Sequence, residues 1–169
     1  MDFDVACYYI ENLNKPDDLL KRKVMSFSIK TISRYSAHII LYDDDRRILL
    51  QQRSDTATNF PGVWGFFGGG SKAGETPQRT IQRETREELS YRLRNPCLVA
   101  QDEVIKKKDG VILHVPRYVF IEHCLEKKYL KLQEGQGMGW FRFSEIKILK
   151  THPQDREILA QVQKYLMRR

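Results

Sequence analysis

Three carboxylates crowd one short segment near the middle of the chain. Residues 68 to 91 read GGGSKAGETPQRTIQRETREELSY, with Glu84, Glu87 and Glu88 inside five consecutive positions. In a helix, positions three and four apart project to the same side, so these side chains would stack on successive turns. Each pair of like charges would cost about 0.2–0.5 kcal/mol, part of which Arg83 could offset by an i,i+4 pair with Glu87. A salt-bridged, solvent-facing helix is therefore one interpretation, and a metal ion held by the carboxylates is another.

The glycines before this helix favour the metal. Gly68, Gly69 and Gly70 allow the backbone to approach a ligand closely. A turn that exposes a carbonyl beside several carboxylates offers the oxygen ligands that Mg²⁺ prefers, and leaves positions for water and phosphate. The segment therefore predicts a metal site, at which the cation would neutralise the stacked glutamates and attract polyphosphate.

The segment resembles a known sequence motif, the Nudix box, written G-x5-E-x7-R-E-U-x-E-E-x-G-U with U a bulky aliphatic residue. The surrounding order of strands and helices is also similar to the Nudix family, from about residue 33 to the end, and most similar to its small MutT-like members. The matching positions are Gly69, Glu75, Arg83, Glu84, Glu87 and Glu88.

The segment departs from the box at several positions. Thr85 and Tyr91 replace aliphatic residues at packing positions, and Ser90 replaces the glycine that would end the helix. A serine in the left-handed conformation that glycine adopts easily costs about 1 kcal/mol. Lys72 and Phe67 stand where many relatives carry glutamate and proline. None of these changes removes an expected metal ligand.

The resemblance implies a ligand set. Glu84 and Glu88 would bind the metal directly together with the carbonyl of Gly68, and Glu87 would bind it directly or through water. The implied cofactor is Mg²⁺, with Mn²⁺ as a possible substitute.

Further roles follow from the resemblance. Arg83 would orient Glu84 or Glu87 by a charge-assisted hydrogen bond, and Glu75 would brace the loop against the helix. Glu134, in the segment QEGQGMGWF, stands where related nucleotide hydrolases carry a loop glutamate that helps the metal or the water, although an ordinary surface loop residue is the alternative. The sequence does not decide which glutamate is the general base.

The candidate substrate-binding residues are scattered along the chain. An arginine could contact phosphate or base, or simply lie on the surface. A phenylalanine could stack on the base, although an aromatic residue beside a glycine loop is more often part of the core. Polar residues that open the last helix could read the base edge or simply cap the helix. The set is Arg53, Phe67, Gly69, Gln154 and Asp155.

The implied function is Mg²⁺-dependent cleavage of a nucleoside triphosphate, canonical or oxidised, to the monophosphate and pyrophosphate. Two alternatives are hydrolysis of a nucleoside diphosphate linked to another group such as a sugar, and a non-catalytic Nudix domain that senses nucleotide or RNA. The net charge of +7 is compatible with any of these anionic partners. The complete set of box glutamates favours the enzyme over RNA binding.

The whole chain is typical of a folded protein with one main domain. It has 169 residues, of which 41% are hydrophobic and 30% charged, and this excludes a disordered chain. Cys7, Cys97 and Cys124 form neither a metal pattern nor a disulfide framework, and no segment reads as a signal peptide or membrane span. The expected setting is cytoplasmic, as a monomer or homodimer, away from membranes.

The elements that must position these residues can be read from hydrophobic periodicity. Two hairpins are predicted, at 35–42 with 47–53 and at 97–105 with 111–124, and the charged turn DDDRR of the first should be solvated. Thr76 and Pro77 should start a helix that runs to about Leu89. The glycine-rich stretch 59–70 is expected to be irregular. A strand at 137–143, a short helix at 143–149 and an amphipathic last helix at 153–169 complete an expected α/β/α sandwich with a mixed sheet over 33–169, after an accessory segment at 1–32.

Overall fold

The computed structural model of the chain describes residues 34–58, 60–108 and 111–168. The predicted accessory segment, residues 1–32, and Cys7 within it lie outside the described residues. No helix of the described part is long and apolar enough to cross a bilayer. Cys97 and Cys124 carry free thiols.

Strands dominate the described part, and three α-helices accompany them. The strands are β1 (Ser36–Tyr42), β2 (Ile48–Gln52), β3 (Trp64–Gly65), β4 (Phe67–Gly70), β5 (Cys97–Lys108), β6 (Val111–His123) and β7 (Gly137–Phe141). The helices are α1 (Pro77–Leu89), α2 (Phe143–Ile146) and α3 (Asp155–Met167), and a 3₁₀ turn spans Lys127–Tyr129.

The strands form one mixed sheet. Its main order is β3-β2-β1-β6-β5, with β4 paired to β1 and β7 paired to β2. Strands β1 and β6 run parallel, and the other pairs are antiparallel. Because β1 pairs with β6 on one side and with β2 and β4 on the other, it is the central strand.

Alternation along β1 divides the core into two layers. Successive side chains of a strand point to opposite faces, and here Ile39 and Leu41 join one buried cluster while Ile40 joins the other. Helix α1 contributes Ile81 to the first cluster, and α3 contributes Val162 to the second. The predicted α/β/α sandwich is therefore confirmed, as are both hairpins and the apolar side of the last helix.

The glycine-rich stretch differs from expectation. It was expected to be irregular, but it forms β3 and β4, and β4 pairs with β1 from Ser36↔Gly70 to Ile39↔Phe67. Glycine weakens a strand only modestly, and partners on β1 supply the backbone hydrogen bonds that hold these residues extended. This pairing fixes the three glycines against the centre of the sheet.

The charged turn between β1 and β2 also differs from expectation. Asp43 is only 1% exposed, because its carboxylate accepts hydrogen bonds from Arg47 at 2.8 Å and from Lys127 at 2.5 Å. These two cations hold the pKa of Asp43 below its usual value despite burial, which acts in the opposite direction. The prediction of a fully solvated turn was therefore wrong for Asp43. Its partner Lys127 lies 84 positions further along the chain, so the sequence of the turn alone does not reveal the contact.

Candidate active site

Helix α1 begins and ends with local signals. Thr76 caps it by accepting a hydrogen bond from the N–H of Arg79 at 3.3 Å, and Pro77 occupies the first turn. Ser90 ends it in the left-handed conformation with φ 51°, where a glycine would be unstrained. Thr85, fully buried, donates its hydroxyl proton to the carbonyl of Ile81 at 2.7 Å, so a polar residue is tolerated at a packing position.

Arg83 lies beside the acidic face of α1, which is formed by Glu84, Glu87 and Glu88. Its guanidinium donates to Glu75 at 2.7 and 2.9 Å, to Glu84 at 2.7 Å and to Glu87 at 3.0 Å. It also donates to the carbonyl of Gly70 at 2.9 Å. One cation therefore hydrogen-bonds to two of the stacked glutamates and to the last residue of β4.

Glu75 joins the loop before α1 to the helix itself. Its carboxylate accepts hydrogen bonds from the N–H of Lys72 at 2.8 Å and the hydroxyl of Thr80 at 3.0 Å, in addition to Arg83. The hydrogen bonds from Arg83, with smaller contributions from these neighbours, lower the pKa of Glu75 from 4.5 to about 2. A carboxylate held this firmly is suited to bracing rather than to proton transfer.

Glu88 lies deeper than the other glutamates of the helix. It is 6% exposed and accepts a hydrogen bond from the N–H of Gly68 at 2.7 Å. Burial raises its pKa from 4.5 to about 8; Glu84 and Glu134 raise it further, while the Gly68 N–H and Arg53 act in the opposite direction. The charged form of Glu88 is thus disfavoured, mainly by burial and to a smaller extent by the two neighbouring carboxylates.

At two of the glycines, an added side chain would collide with neighbouring atoms. A Cβ at Gly68, where φ is +128°, would lie 2.2 Å from the carbonyl oxygen of Ala37, and one at Gly69 would lie 2.7 Å from the carboxylate of Glu84. A Cβ at Gly70 would meet nothing within 4 Å. Gly69 therefore lies directly against the Glu84 carboxylate, and a side chain at this position would displace it.

Replacing Gly69 with alanine should lower activity more than it lowers stability. The new methyl group would displace the Glu84 carboxylate, which is the flexible end of a side chain, so we expect roughly a tenfold to hundredfold lower kcat with less than about 2 kcal/mol lost in unfolding free energy. Hydrolysis kinetics and urea denaturation would measure the two effects. Gly70→Ala is the matched control, and equal kinetic losses in both variants would contradict the proposed effect of Gly69 on Glu84.

A cavity of about 380 Å³ opens beside Glu88. Its volume lies in the range of small-molecule sites, and it brings together three sequence-predicted residues from distant parts of the chain. The lining residues are Gln51, Arg53, Ser54, Ala57, Thr58, Glu88, Glu134 and Gly135. A larger cavity of about 720 Å³ lies past the end of α1, along residues 90–94, but no glutamate of the box lines it, so the smaller cavity is the candidate active site.

The donor set around this cavity suits a hard divalent cation. Glu88 and Glu134 line the cavity, Glu84 is close enough to raise the pKa of Glu88, and carboxylate oxygens are the ligands that Mg²⁺ and Mn²⁺ prefer. Within the described ranges, however, no three acidic, histidine or cysteine side chains are already arranged to hold a metal ion. Glu87, half exposed, contacts both Arg83 and Lys72, the latter at 3.5 Å, so its charge is already balanced.

Four of the five predicted substrate-binding residues do not line the cavity, namely Phe67, Gly69, Gln154 and Asp155. Phe67 is 1% exposed inside the core cluster to which α1 contributes, so it is a core residue, as expected for an aromatic beside the glycines, and its ring does not stack on a base. Neither Gln154 nor Asp155 lines the cavity. Asp155 is buried and accepts a hydrogen bond from Arg117 at 2.5 Å, and Arg117 also donates to Asp102 at 2.7 Å.

Gln51 and Gln136 lie near the cavity, and no pattern in the sequence identifies either of them. Gln51 donates its side-chain N–H to the carbonyl of Glu134 at 2.8 Å, across 83 positions of sequence. Gln136 exchanges hydrogen bonds with Asp55 across 81 positions. A single glutamine in a strand or loop has no characteristic spacing, so only the folded structure reveals these contacts.

The pattern of the NUDIX domain family matches residues 32–162, which is well over half of the chain. With the mixed sheet, the α1 acidic face and the cavity beside it, this match shows that the chain belongs to the Nudix family, as a MutT-like pyrophosphohydrolase.

Individual relatives agree with this family. The chain is 31% identical over 108 residues to the nucleoside triphosphatase NudI of Enterobacter sp. (strain 638), covering 60% of this chain and 76% of that protein. The MutT NUDIX hydrolase of Burkholderia pseudomallei shares 26% identity and a TM-score of 0.65, over 76% of this chain and 97% of the other. The dihydroneopterin triphosphate pyrophosphohydrolase of E. coli, at 19% identity and a TM-score of 0.62, over 75% of this chain and 92% of the other, has the same fold.

Proposed function

We propose that this Nudix hydrolase cleaves a nucleoside triphosphate, canonical or oxidised, to the nucleoside monophosphate and pyrophosphate, with Mg²⁺ as cofactor and Mn²⁺ as a possible substitute. The observation that carries the proposal is the cavity in which the buried carboxylate of Glu88 faces Glu134 and Arg53. The two carboxylates are suited to bind a cation and the arginine is suited to bind phosphate, and all three line one cavity whose volume suits a small-molecule ligand.

The proposed metal ligands are the carboxylates of Glu84 and Glu88 and the carbonyl of Gly68, with Glu87 bound directly or through water. The buried position of Glu88 beside Glu84 and Glu134 supports this set, because a bound cation would stabilise the charged form of Glu88, which burial and the neighbouring carboxylates disfavour. The bound cation would neutralise phosphate charge and lower the pKa of the attacking water. Arg83 would keep Glu84 aimed at the site, since its hydrogen bond fixes that carboxylate at 2.7 Å.

Glu134 is the proposed partner of the attacking water. It lines the cavity, and its negative charge is close enough to raise the pKa of Glu88. A carboxylate on a loop at the cavity wall can accept a proton within hydrogen-bond reach of a bound water. Arg53, at the end of β2, would bind the phosphate groups by paired hydrogen bonds.

The lining of the cavity also bears on the nucleotide. Its walls are polar through the side chains of Ser54 and Thr58, and among the described residues no aromatic ring lines them. Recognition of the substrate in this space would therefore depend on hydrogen bonds rather than stacking. The similarity to a protein named nucleoside triphosphatase supports a triphosphate substrate.

The test is a product analysis with Mg²⁺ present. The panel comprises nucleoside triphosphates, oxidised guanine nucleotides, nucleotide sugars and dinucleoside polyphosphates, and products are separated by chromatography. A monophosphate with an equal amount of pyrophosphate, dependent on Mg²⁺ and absent in Glu88→Gln, is the expected result. A sugar phosphate would instead assign the alternative substrate class. No turnover of any compound, with RNA binding that weakens steeply with salt, would overturn the proposal and favour a sensor.

A further inference from the structure

We infer that Gln51 is a positioning residue for hydrolysis, because its side chain holds the loop that carries Glu134 at the wall of the cavity. The loop, residues 131–136 and here called the bridging loop, is hydrogen-bonded both to the end of α1 and to the end of β2. The inference rests on the proposed function for its catalytic consequence, but the positioning itself is a property of the chain.

One end of the bridging loop is fixed to helix α1. The N–H of Lys131 donates to the carbonyl of Leu89 at 2.9 Å, and the N–H of Gln133 donates to the carbonyl of Glu88 at 2.8 Å. The side chain of Gln133 adds a hydrogen bond to the hydroxyl of Ser90 at 3.0 Å. The last carbonyls of a helix lack partners within the helix, so the loop satisfies them. The residue before Glu134 is thus bonded to Glu88 itself.

The other end is fixed to strand β2 and the segment after it. The N–H of Gln136 donates to the carbonyl of Gln52 at 3.0 Å, and its side-chain amide exchanges hydrogen bonds with Asp55 at 3.1 and 3.3 Å. Between these two attachments, the side-chain N–H of Gln51 donates to the carbonyl of Glu134 at 2.8 Å.

The contact between Gln51 and the loop is tightly packed. Gln51 is 6% exposed, so its amide has little freedom to turn away. Gly135 has φ +89°, and a Cβ there would lie 2.9 Å from the carbonyl oxygen of Gln52 and 3.0 Å from the side chain of Gln51. A residue without a side chain therefore lets the loop lie directly on β2, with Glu134 immediately before it.

Gln51 acts through Glu134 and not on substrate chemistry directly. Its side-chain nitrogen donates to the loop carbonyl at 2.8 Å, and it has no charge to offer to phosphate. A hydrogen bond of this kind is worth only a modest free energy, but a carboxylate that must reach a bound water loses much of its effect when displaced by about 1 Å. Losing this contact should therefore reduce turnover more than substrate binding.

The test is a double-mutant cycle with Gln51→Met, which keeps the length of the side chain and removes the donor, and Glu134→Gln. We expect Gln51→Met to lower kcat about tenfold with little change in KM, and Glu134→Gln to lower it by about a hundredfold. The double variant should be no slower than Glu134→Gln alone, because Gln51 has nothing left to position. Gln82→Met, on the exposed side of α1, is the control that should retain wild-type kinetics.

Additive losses in the cycle, or an unchanged kcat in Gln51→Met, would overturn the inference. Amide hydrogen exchange supplies a readout that needs no activity. The N–H of Gln136 should exchange at least about tenfold faster in Gln51→Met than in wild type, and an unchanged rate would also overturn it. If wild type hydrolyses nothing while exchange at Gln136 still accelerates, the proposed function fails and the positioning of the loop stands.

Discussion

Replacing Glu88 with glutamine should reduce nucleotide hydrolysis by roughly a thousandfold while the protein stays folded. The change removes the charge of the most buried proposed ligand but preserves its shape. The side-chain oxygen of glutamine can still accept the hydrogen bond that the N–H of Gly68 donates to the Glu88 carboxylate at 2.7 Å. Loss of one preorganised charged group at the reacting centre costs about 10²–10³ in rate, and weaker cation binding adds to it. Steady-state kinetics at saturating Mg²⁺, beside circular dichroism, would measure this.

The matched control is Glu157→Gln, the same chemical change at an exposed position of α3 outside the cavity. It should leave both turnover and stability unchanged. If Glu88→Gln retained more than about a tenth of the wild-type rate, the proposed role of Glu88 would be wrong.

The same variant has an expected effect on stability without metal. Because burial raises the pKa of Glu88 from 4.5 to about 8, its protonated form stabilises the folded state below pH 4.5, and this contribution is lost as the pH rises toward 8. The full loss is roughly 3–5 kcal/mol. In EDTA, wild type should therefore lose stability between about pH 5 and 8 relative to Glu88→Gln, and at pH 8 added Mg²⁺ should stabilise wild type only. Urea denaturation at both pH values would measure this, and parallel curves for the two proteins would contradict it.

Replacing Gly68 with alanine should destabilise the protein by about 3–5 kcal/mol. At φ +128° an alanine is strained, and its Cβ would lie 2.2 Å from the carbonyl oxygen of Ala37 on the central strand. That oxygen belongs to backbone and cannot move aside as the end of a side chain can. Since small proteins have only about 5–15 kcal/mol of stability, much of the variant should be unfolded or insoluble.

Equilibrium denaturation of Gly68→Ala beside Gly70→Ala would test this prediction. The two positions are two apart on the same strand, but a Cβ at Gly70 would meet nothing within 4 Å. Gly70→Ala should therefore stay within about 1 kcal/mol of wild type. A similarly small effect at Gly68 would show that β4 can move away from β1.

Local patterns explain why much of the fold could be predicted from sequence. Alternating apolar residues define β1, whose side chains enter two cores, and the pair Thr76 and Pro77 defines the start of α1. The i,i+4 spacing of Arg83 and Glu87 likewise predicts a salt bridge that the structure contains at 3.0 Å. These features depend on neighbours within a turn of helix or one strand, which the sequence displays directly.

Features that depend on distant partners could not be predicted in the same way. Asp43 is buried with Lys127 as a hydrogen-bond partner, and β4 is a regular strand because β1 pairs with it. The Nudix box predicts which glutamates crowd α1, but contains no information about Gln51, whose partner is the carbonyl of Glu134. A side chain's partner on another element is decided by packing of the whole domain, so the support of the site is visible only in three dimensions.

The parallel pairing of β1 with β6 also constrains how this chain can fold. Every paired residue in that register, from Ser36↔Arg117 to Tyr42↔His123, is separated by 81 positions. Closing a loop of that length costs roughly 4 kcal/mol of chain entropy before any contact compensates for it. Hairpins such as β5–β6 can form early from nearby residues, whereas the central pair must form late. A nascent chain that has not yet reached His123 therefore exposes one edge of its central strand, and during synthesis that edge is where pairing with other chains would begin.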